Sequence, residues 1–316
     1  NSETETFHGY RRPEGRGVGT RNFIVILAVT VKSAAFARQI ESNYASRNLG
    51  KNIDGVIAVT HTEGDGTMPP NNYSLVMRTL AGFMVHPNVG AVQVVDYGDG
   101  TFTADNLKQF ALDNDYPLDH TLHEFLKIEH SNDSALMDSF KTIDQWIPIV
   151  SKHARTEEPI ENISLALQCG GSDAFSGISG NPLAGSVAKE VIRRGGRANL
   201  AETDELIGAE SYVLSNVKDL PTAELFLEKI RNFKQYAANH GASAEGNPSG
   251  GNNFRGLYNI ALKSIGAARK KDPEVRLDAV IDYGAPMTDS GYYFMDSPGN
   301  DLESIAGQVA SGCNMI

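Results

Sequence analysis

The sequence predicts an α/β fold: two domains with mostly parallel sheets flanked by helices. Three observations lead there. Apolar runs of strand length alternate with segments of helical periodicity along the chain. A polar stretch at 153–162 (HARTEEPIEN), with Pro159 inside it, separates two such series. The length of 316 residues is about what two domains occupy. The expected domains are residues 1–153 and 154–316.

Phe23–Thr30 (FIVILAVT) is a continuous apolar run, as a strand buried on both faces requires. Lys32–Leu49 follows as a helix, with Ala34, Phe36, Ile40 and Tyr44 at helical spacing. Val56–Val59, inside Asn52–Thr60, is a second strand. Asn71–His86 is a helix, because Leu75, Met77, Leu80 and Phe83 recur along one face. Val89–Asp96 is a third strand, Ala104–Asn114 a helix and Leu122–Glu129 a short strand. Ser134–His153 is a long helix that Pro148 kinks or ends early.

The pattern then restarts. Ile163–Leu167 reads as a strand, and Pro182–Arg194 as a helix opened by Asn181 and Pro182. Arg197–Ala201 is a short strand, and Asp204–Ser215 and Thr222–His240 are helices. Gly241–Gly256 is a loop rich in Gly, Asn, Ser and Pro. Leu257–Lys270 is helical, Leu277–Asp282 is a strand and Asp301–Ser311 is the last helix. This second half is expected to be a Rossmann-like α/β domain.

Composition excludes several classes. The apolar share is that of a globular protein, at 41% before Gly is added. No apolar run is long enough to cross a membrane, and residues 1–19 lack a signal-peptide core. Two Cys cannot form a disulfide framework, so a cytoplasmic location is expected. A net charge of −11 argues against nucleic acid as a partner. It leaves room for a small anionic ligand, which needs only local positive groups. Base rates favour a homo-oligomer.

In an open α/β sheet, ligands sit at the carboxyl ends of the strands. Loops there carry polar residues: His61–Gly66 (HTEGDG), Asp96–Gly100 (DYGDG), Gln168–Asp173 (QCGGSD), Glu202–Asp204 (ETD) and Asp282–Pro286 (DYGAP). Their convergence predicts a polar cleft between the halves. The Gly-rich run Cys169–Pro182, ending at a helix start, can cradle a carboxylate or phosphate on backbone N–H groups, or simply be a tight connection. Asn and Ser of Gly246–Asn252 (GNPSGGN) can donate to ligand hydroxyls, or the segment is a surface loop. There is no P-loop, HExxH, CxxC or EF-hand motif. His61 with Asp65 is a metal or acid–base candidate beside a structural reading. His120 and His123 read as surface residues, and Cys313 as core. Cys169 as a nucleophile needs a base, and none is adjacent in sequence; packing or ligand contact is the other reading.

Five segments taken together resemble the altronate/galactarate dehydratase family. They are Gly9–Asn22 (GYRRPEGRGVGTRN), Leu167–Ile178 (LQCGGSDAFSGI) with Asn181 and Pro182, Gly195-Gly196 followed by Ala201–Glu210 (AETDELIGAE), Gly246–Asn252, and Tyr293–Pro298 (YFMDSP). The resemblance runs over nearly the whole chain. It implies a central domain followed by a C-terminal catalytic α/β domain. It also implies dehydration of a sugar acid to a 2-keto-3-deoxy acid with Fe²⁺, Mn²⁺ or Mg²⁺. A small N-terminal domain, a separate subunit in the related (2R)-sulfolactate sulfo-lyases, is a possible partner. Relatives continue beyond the position of Ile316, so the C-terminal domain is expected to be truncated.

Some positions depart from the family. Lys32, Asp65 and Asp99 stand where members usually carry Cys in the loops after the first three strands. Asn253 replaces a Lys, and Leu262 replaces a Glu before Lys263. A thiolate-rich iron site does not carry over; alternatively, the subfamily has lost its metal or does different chemistry. On this reading Arg21, Asn22 and the loop Cys169, Gly170, Gly171, Ser172 and Asp173 hold the carboxylate. His61, Lys32 and Cys169 are the candidates for proton transfer. Asp65, Asp99, Glu202 and Asp296 are candidate metal ligands. Asn247, Ser249 and Asn252 read hydroxyls. The alternatives are a sulfolactate sulfo-lyase large subunit releasing sulfite, and a non-catalytic sugar-acid-binding subunit.

Overall fold

The structure is a computed structural model that describes residues 5–13, 15–64, 66, 68–128, 132–170, 173–244 and 247–316. The chain divides into two compact units, Asn1–Pro159 and Ile160–Ile316. Among the described residues no helix is long and apolar enough to cross a membrane.

The first unit contains β1 (Thr6–Arg11), β2 (Val18–Gly19), β3 (Phe23–Ala28), α1 (Val31–Tyr44), β4 (Gly55–Val59), α2 (Tyr73–Val85), β5 (Val89–Asp96), α3 (Ala104–Asp113), β6 (Leu122–Lys127), α4 (Asn132–Val150) and β7 (Thr156–Pro159). Its main sheet has the order β4-β3-β5-β6 and is wholly parallel. The apolar run of β3 is continuous because both of its faces are buried. Ile24, Ile26 and Ala28 pack with Phe36, Ile40 and Tyr44 of α1 and Trp146 and Val150 of α4. Val25 and Leu27 point the other way, onto Met77 and Leu80 of α2 and Leu107 of α3. Helix α4 runs through Pro148 and stops two residues later, at Val150.

A small antiparallel sheet of order β2-β1-β7 joins the two ends of this unit. The polar boundary at 153–162 therefore contains a strand. Its charges mask the pattern: Glu158 is buried because Arg11 reaches it through Nε at 3.0 Å and through a second, shorter contact from Nη2. The segment after β1 is locked by buried guanidinium groups. Arg12 donates to Pro87 O at 2.7 Å and Asn22 Oδ1 at 2.8 Å. Arg16 donates to the carbonyls of Val85, His86 and Val89 at 2.7–3.0 Å. Burial lowers both, Arg12 to about 10 and Arg16 to about 9, and Arg12 adds repulsion at Arg16. Asn22 completes this frame by donating to Asn52 O at 2.6 Å and Val150 O at 3.2 Å.

The second unit contains β8 (Ser164–Leu167), α5 (Gly180–Arg193), β9 (Arg197–Leu200), α6 (Glu210–Leu214), α7 (Leu220–Asn239), α8 (Gly250–Phe254), α9 (Ile260–Ala268), β10 (Leu277–Ile281), β11 (Gly291–Met295) and α10 (Asp301–Ala310). All four strands are parallel in the order β10-β11-β9-β8. Met315 makes a parallel bridge to Leu165 on the open side of β8. Three readings of the sequence need correction here. Gly291–Met295 is a fully buried strand; its aromatic run carries no flanking alternation to reveal it. The expected helix at 204–215 is a 3-10 turn, Thr203–Leu206, and the short α6, because Gly208 at φ +90° breaks it. The expected loop at 241–256 contains α8, whose first turn Ser249 caps.

Replacing Asn22 with Ala strands a buried Arg12 donor and two carbonyls. The expected loss is about 2–4 kcal/mol of unfolding free energy, measured by urea denaturation. A change under about 0.5 kcal/mol would mean the frame is not structural.

Candidate active site

Parallel strands put the residues that precede them at one end of a sheet and those that follow at the other. Arg21 and Asn22 precede β3, so they lie at the amino end of the first unit's sheet. Arg21 is exposed and pairs with Asp54 at 3.3 Å, and Asn22 is consumed by the frame described above. At the carboxyl end, β3 and β5 are neighbours although β4 comes between them in the chain, which makes the topological switch point of this sheet. Lys32 and Asp99 meet over it, at 3.2 Å. His61 Nδ1 accepts the N–H of Glu63 at 3.2 Å, so its Nε2 carries the proton and donates to Val29 O at 3.1 Å. Burial lowers its pKa and keeps it neutral. Within this unit the structure thus separates Arg21 and Asn22 from Lys32, His61 and Asp99 by the length of β3. Asp65 lies outside the described residues. His120 is exposed, whereas His123 is partly buried with its Nδ1 2.8 Å from Thr121 O.

The second unit gathers more chemistry. Cys169 follows β8, Glu202–Glu205 follows β9, Asp282 follows β10, and Asp296 and Ser297 follow β11, all at the carboxyl end of one sheet. Glu202 sits in the left-handed region at φ +73°, a conformation that costs a non-Gly residue about 1–2 kcal/mol. That turn lets Glu202 Oε2 accept the Cys169 N–H at 2.8 Å while its own N–H reaches Ser297 Oγ at 2.9 Å. Desolvation raises the Glu202 carboxyl to about 7, against the opposing pull of Lys270, whose Nζ is 3.8 Å away.

Glu205 holds two partners. Its Oε2 lies 3.5 Å from Cys169 Sγ, and its Oε1 pairs with Lys263 Nζ of α9. Lys263 also donates to Asn247 Oδ1, and Asn247 Nδ2 donates to Asp204 Oδ2. A buried line therefore runs from thiol to carboxylate to ammonium to amide to carboxylate. Burial raises Asp204, and Glu205 adds to the rise. Gly299 closes on it so tightly that a Cβ there would stand 2.6 Å from the carboxylate oxygens. Nearby, Asp296 accepts Thr203 Oγ1 at 2.6 Å, and Lys229 lies 2.5 Å from Asp282 and 3.9 Å from Asp296.

A pocket of about 290 Å³ opens beside this line. Its polar lining includes Cys169, Asp173, Ser176, Asn181, Lys263 and Arg269, and Ile178, Leu257, Leu262 and Ile265 form its apolar wall. Of the Gly-rich loop, Gly170 has open space around its Cα, and Asp173 spends Oδ1 on the Ser176 N–H at 2.7 Å. Gly171 and Ser172 lie outside the described residues. Ser249 Oγ accepts the backbone N–H of Asn252 as the cap of α8. Cys313 is buried with its thiol pushed up by desolvation, as a core residue should be.

The candidate metal ligands already have partners within their own units. In the second unit Glu202 is held by Cys169 and Lys270 and Asp296 by Thr203 and Lys229; in the first, Asp99 is held by Lys32. Among the described residues no group of three or more His, Cys, Asp or Glu is placed to hold a metal ion. Within the second unit, Glu202 and Asp296 therefore do not fit a divalent cation as a ligand set.

Glu205, Lys263 and Lys270 belong to this buried cluster, and the sequence reading gave them no role at the site. A signal for Lys263 was present: it shares the buried face of α9 with Ile260, Ser264 and Ala267, at helical spacing. A lysine on that face has to find a buried anion.

A parallel sheet with acids, a thiol and lysines gathered at its strand ends defines the second unit as an α/β domain with a polar strand-end cluster beside a pocket. The chain belongs to the D-galactarate/altronate dehydratase family. The model of that family's C-terminal domain matches residues 160–316, and the model of its second domain matches residues 9–151. Altronate dehydratase of Escherichia coli K12 is 30% identical over 97% of this chain and 61% of its own length. Galactarate dehydratase (L-threo-forming) of the same organism is 26% identical, over 98% of this chain and 60% of its own length. The (2R)-sulfolactate sulfo-lyase subunit beta of Chromohalobacter salexigens is 28% identical, over 97% of this chain and 75% of its own length. The chain thus spans about three fifths of the length of the dehydratases it matches.

A raised carboxyl pKa makes folding bind a proton. The Glu202 contribution is fully present below about pH 4.5, where the unfolded chain is also protonated, and is lost as pH rises towards about 7. Glu202→Gln removes this dependence. Urea unfolding at pH 5 and pH 8 should show the variant gaining on wild type at pH 8 by about 1–3 kcal/mol. Equal pH slopes for the two proteins would reject the assignment.

Proposed function

We propose that the pocket of the second unit binds a sugar acid of the altronate or galactarate class and that the protein eliminates water from it, giving a 2-keto-3-deoxy acid. The observation that supports this is the Cys169 thiol on the pocket wall, backed by the buried Glu205 carboxylate at 3.5 Å, in a chain whose relatives are named dehydratases. Such an elimination needs a base for the C2 proton and a proton for the departing C3 hydroxyl. The Glu205 carboxylate takes the Cys169 proton, the resulting thiolate takes the proton from C2, and the proton held on Glu205 passes to the C3 hydroxyl, which leaves as water as the C2–C3 double bond forms. Glu202 acts as a positioning residue, because it fixes the Cys169 N–H and so the thiol. Asp173 and Ser176 offer oxygens to substrate hydroxyls from the wall.

The full chain is incubated with a panel of aldonates and aldarates, with and without Fe²⁺, Mn²⁺ or Mg²⁺, and 2-keto-3-deoxy acid is measured. Product is expected from at least one acid, and Cys169→Ala should lower kcat by about 10²–10⁴-fold with KM little changed. No product from any acid would sink the reading.

One observation favours a second reading. A relative named (2R)-sulfolactate sulfo-lyase subunit beta is 28% identical over 97% of this chain, close to the 30% of the altronate dehydratase. Loss of sulfite from C3 of a 2-hydroxy acid uses the same proton abstraction at C2. Sulfite release from sulfolactate in the presence of a small partner subunit, without dehydratase activity, would select it.

A further inference from the structure

We propose that the elimination in this protein runs on its own ammonium groups in place of a divalent cation, with Lys263 as the catalytic residue that meets the substrate carboxylate. This rests on the reading of the pocket as a sugar-acid site. Four acids at the strand ends of the second unit already face lysines. Lys263 pairs with Glu205, Lys270 faces Glu202 at 3.8 Å, and Lys229 lies between Asp282 at 2.5 Å and Asp296 at 3.9 Å. In the first unit the Lys32–Asp99 pair repeats the pattern at 3.2 Å.

A hard divalent cation binds several oxygens at about 2.0–2.6 Å and needs their lone pairs directed at it. Here Glu202 Oε2, Glu205 Oε1 and Asp204 Oδ2 already face N–H donors. Seating a dication among Glu202, Glu205 and Asp204 would place it beside Lys263 and Lys270, which are 8% and 1% exposed. Two buried cations next to a third charge of the same sign is the arrangement that low-dielectric surroundings penalise most. The chemistry still requires positive charge, because negative charge grows on the carboxylate as C2 loses its proton.

Lys263 is placed to supply it. It lines the pocket together with Cys169. An ammonium has three N–H donors. Among the described residues two are taken, one by Glu205 Oε1 and one by Asn247 Oδ1. The third is left for a ligand oxygen. Glu205 then links the two functions, holding the ammonium with one oxygen and the thiol with the other.

The test uses the full chain, purified without metal affinity steps. Elemental analysis should find well under one metal ion per chain, and Fe²⁺, Mn²⁺ or Mg²⁺ should leave the unfolding temperature unchanged. Calorimetry with altronate and galactarate should give the same affinity before and after chelator treatment. Lys263→Met leaves Glu205 buried without its cation, so the paired variant Lys263→Met/Glu205→Gln is measured beside it. Both should bind the acid about 10- to 100-fold more weakly, the worth of a charge-assisted hydrogen bond. Lys263→Arg should recover most of that loss, which a merely structural lysine would not predict. One metal ion per chain, or acid binding that disappears with chelator and returns with metal, overturns the proposal. Failure of both acids to bind in any form overturns the substrate reading and the role of Lys263 at the carboxylate. The metal content then still decides whether lysines stand in for a cation.

Discussion

The Lys263–Glu205 ion pair is the interaction on which the second unit is organised. A carboxylate and an ammonium that are both nearly inaccessible cost several kcal/mol each to desolvate, and only close partners offset that cost. The pair satisfies this by recruiting donors and acceptors from distant segments. Cys169 comes from the end of β8, Asn247 from the segment before α8, and Lys263 from α9. Removing either charge would leave the other stranded, so these segments are tied together by electrostatics as much as by apolar packing. The unusual backbone of Glu202 belongs to the same economy. Its left-handed turn aims a second carboxylate at the Cys169 N–H and brings Thr203 onto Asp296.

The two units use charge in contrasting ways. In the first unit, buried guanidinium groups of Arg12 and Arg16 are satisfied at the amino end of the sheet largely by backbone carbonyls. These cations do construction work there. The carboxyl end of that sheet, where a ligand would be sought, carries an accessible Lys32–Asp99 pair and a histidine with both ring nitrogens engaged. In the second unit the buried charges lie at the carboxyl end and beside a pocket. Placement relative to strand direction, more than residue type, separates structural cations from those that can face a ligand.

Much of the fold was legible because apolar runs and helical periodicity are local signals. The alternating faces of β3, the helices α1, α2 and α7, and the carboxyl-end loops all follow from such patterns. What escaped depends on partners far away in sequence. Strand β7 reads as polar because its buried Glu158 is paired with Arg11, 147 residues away in sequence. Asn22 looked like a ligand donor because nothing local shows that Arg12, Asn52 and Val150 would claim it. The pairing of Lys32 with Asp99 was hidden for the same reason, although each had been singled out. Of the site, Cys169 and Glu202 were found from their strand-end positions. Lys263 was passed over because a lysine in a helix reads as solvent-facing unless its phase is checked against its neighbours.

The frame around Asn22 also dictates an order of events as the chain is made. Its side chain closes on a carbonyl 128 residues downstream. At ribosomal rates of about 5–20 residues per second, that partner emerges roughly 6–25 s later. The strand β1 waits longer still, for β7. The carbonyls that bind Arg12 and Arg16 come sooner, 69–75 residues after them. The contacts of the segment around β1 are therefore completed in stages, and the last of them wait for α4 and β7. The N-terminal segment is a clasp that fastens a finished unit, and any event that delays α4 or β7 leaves it open to proteases and chaperones.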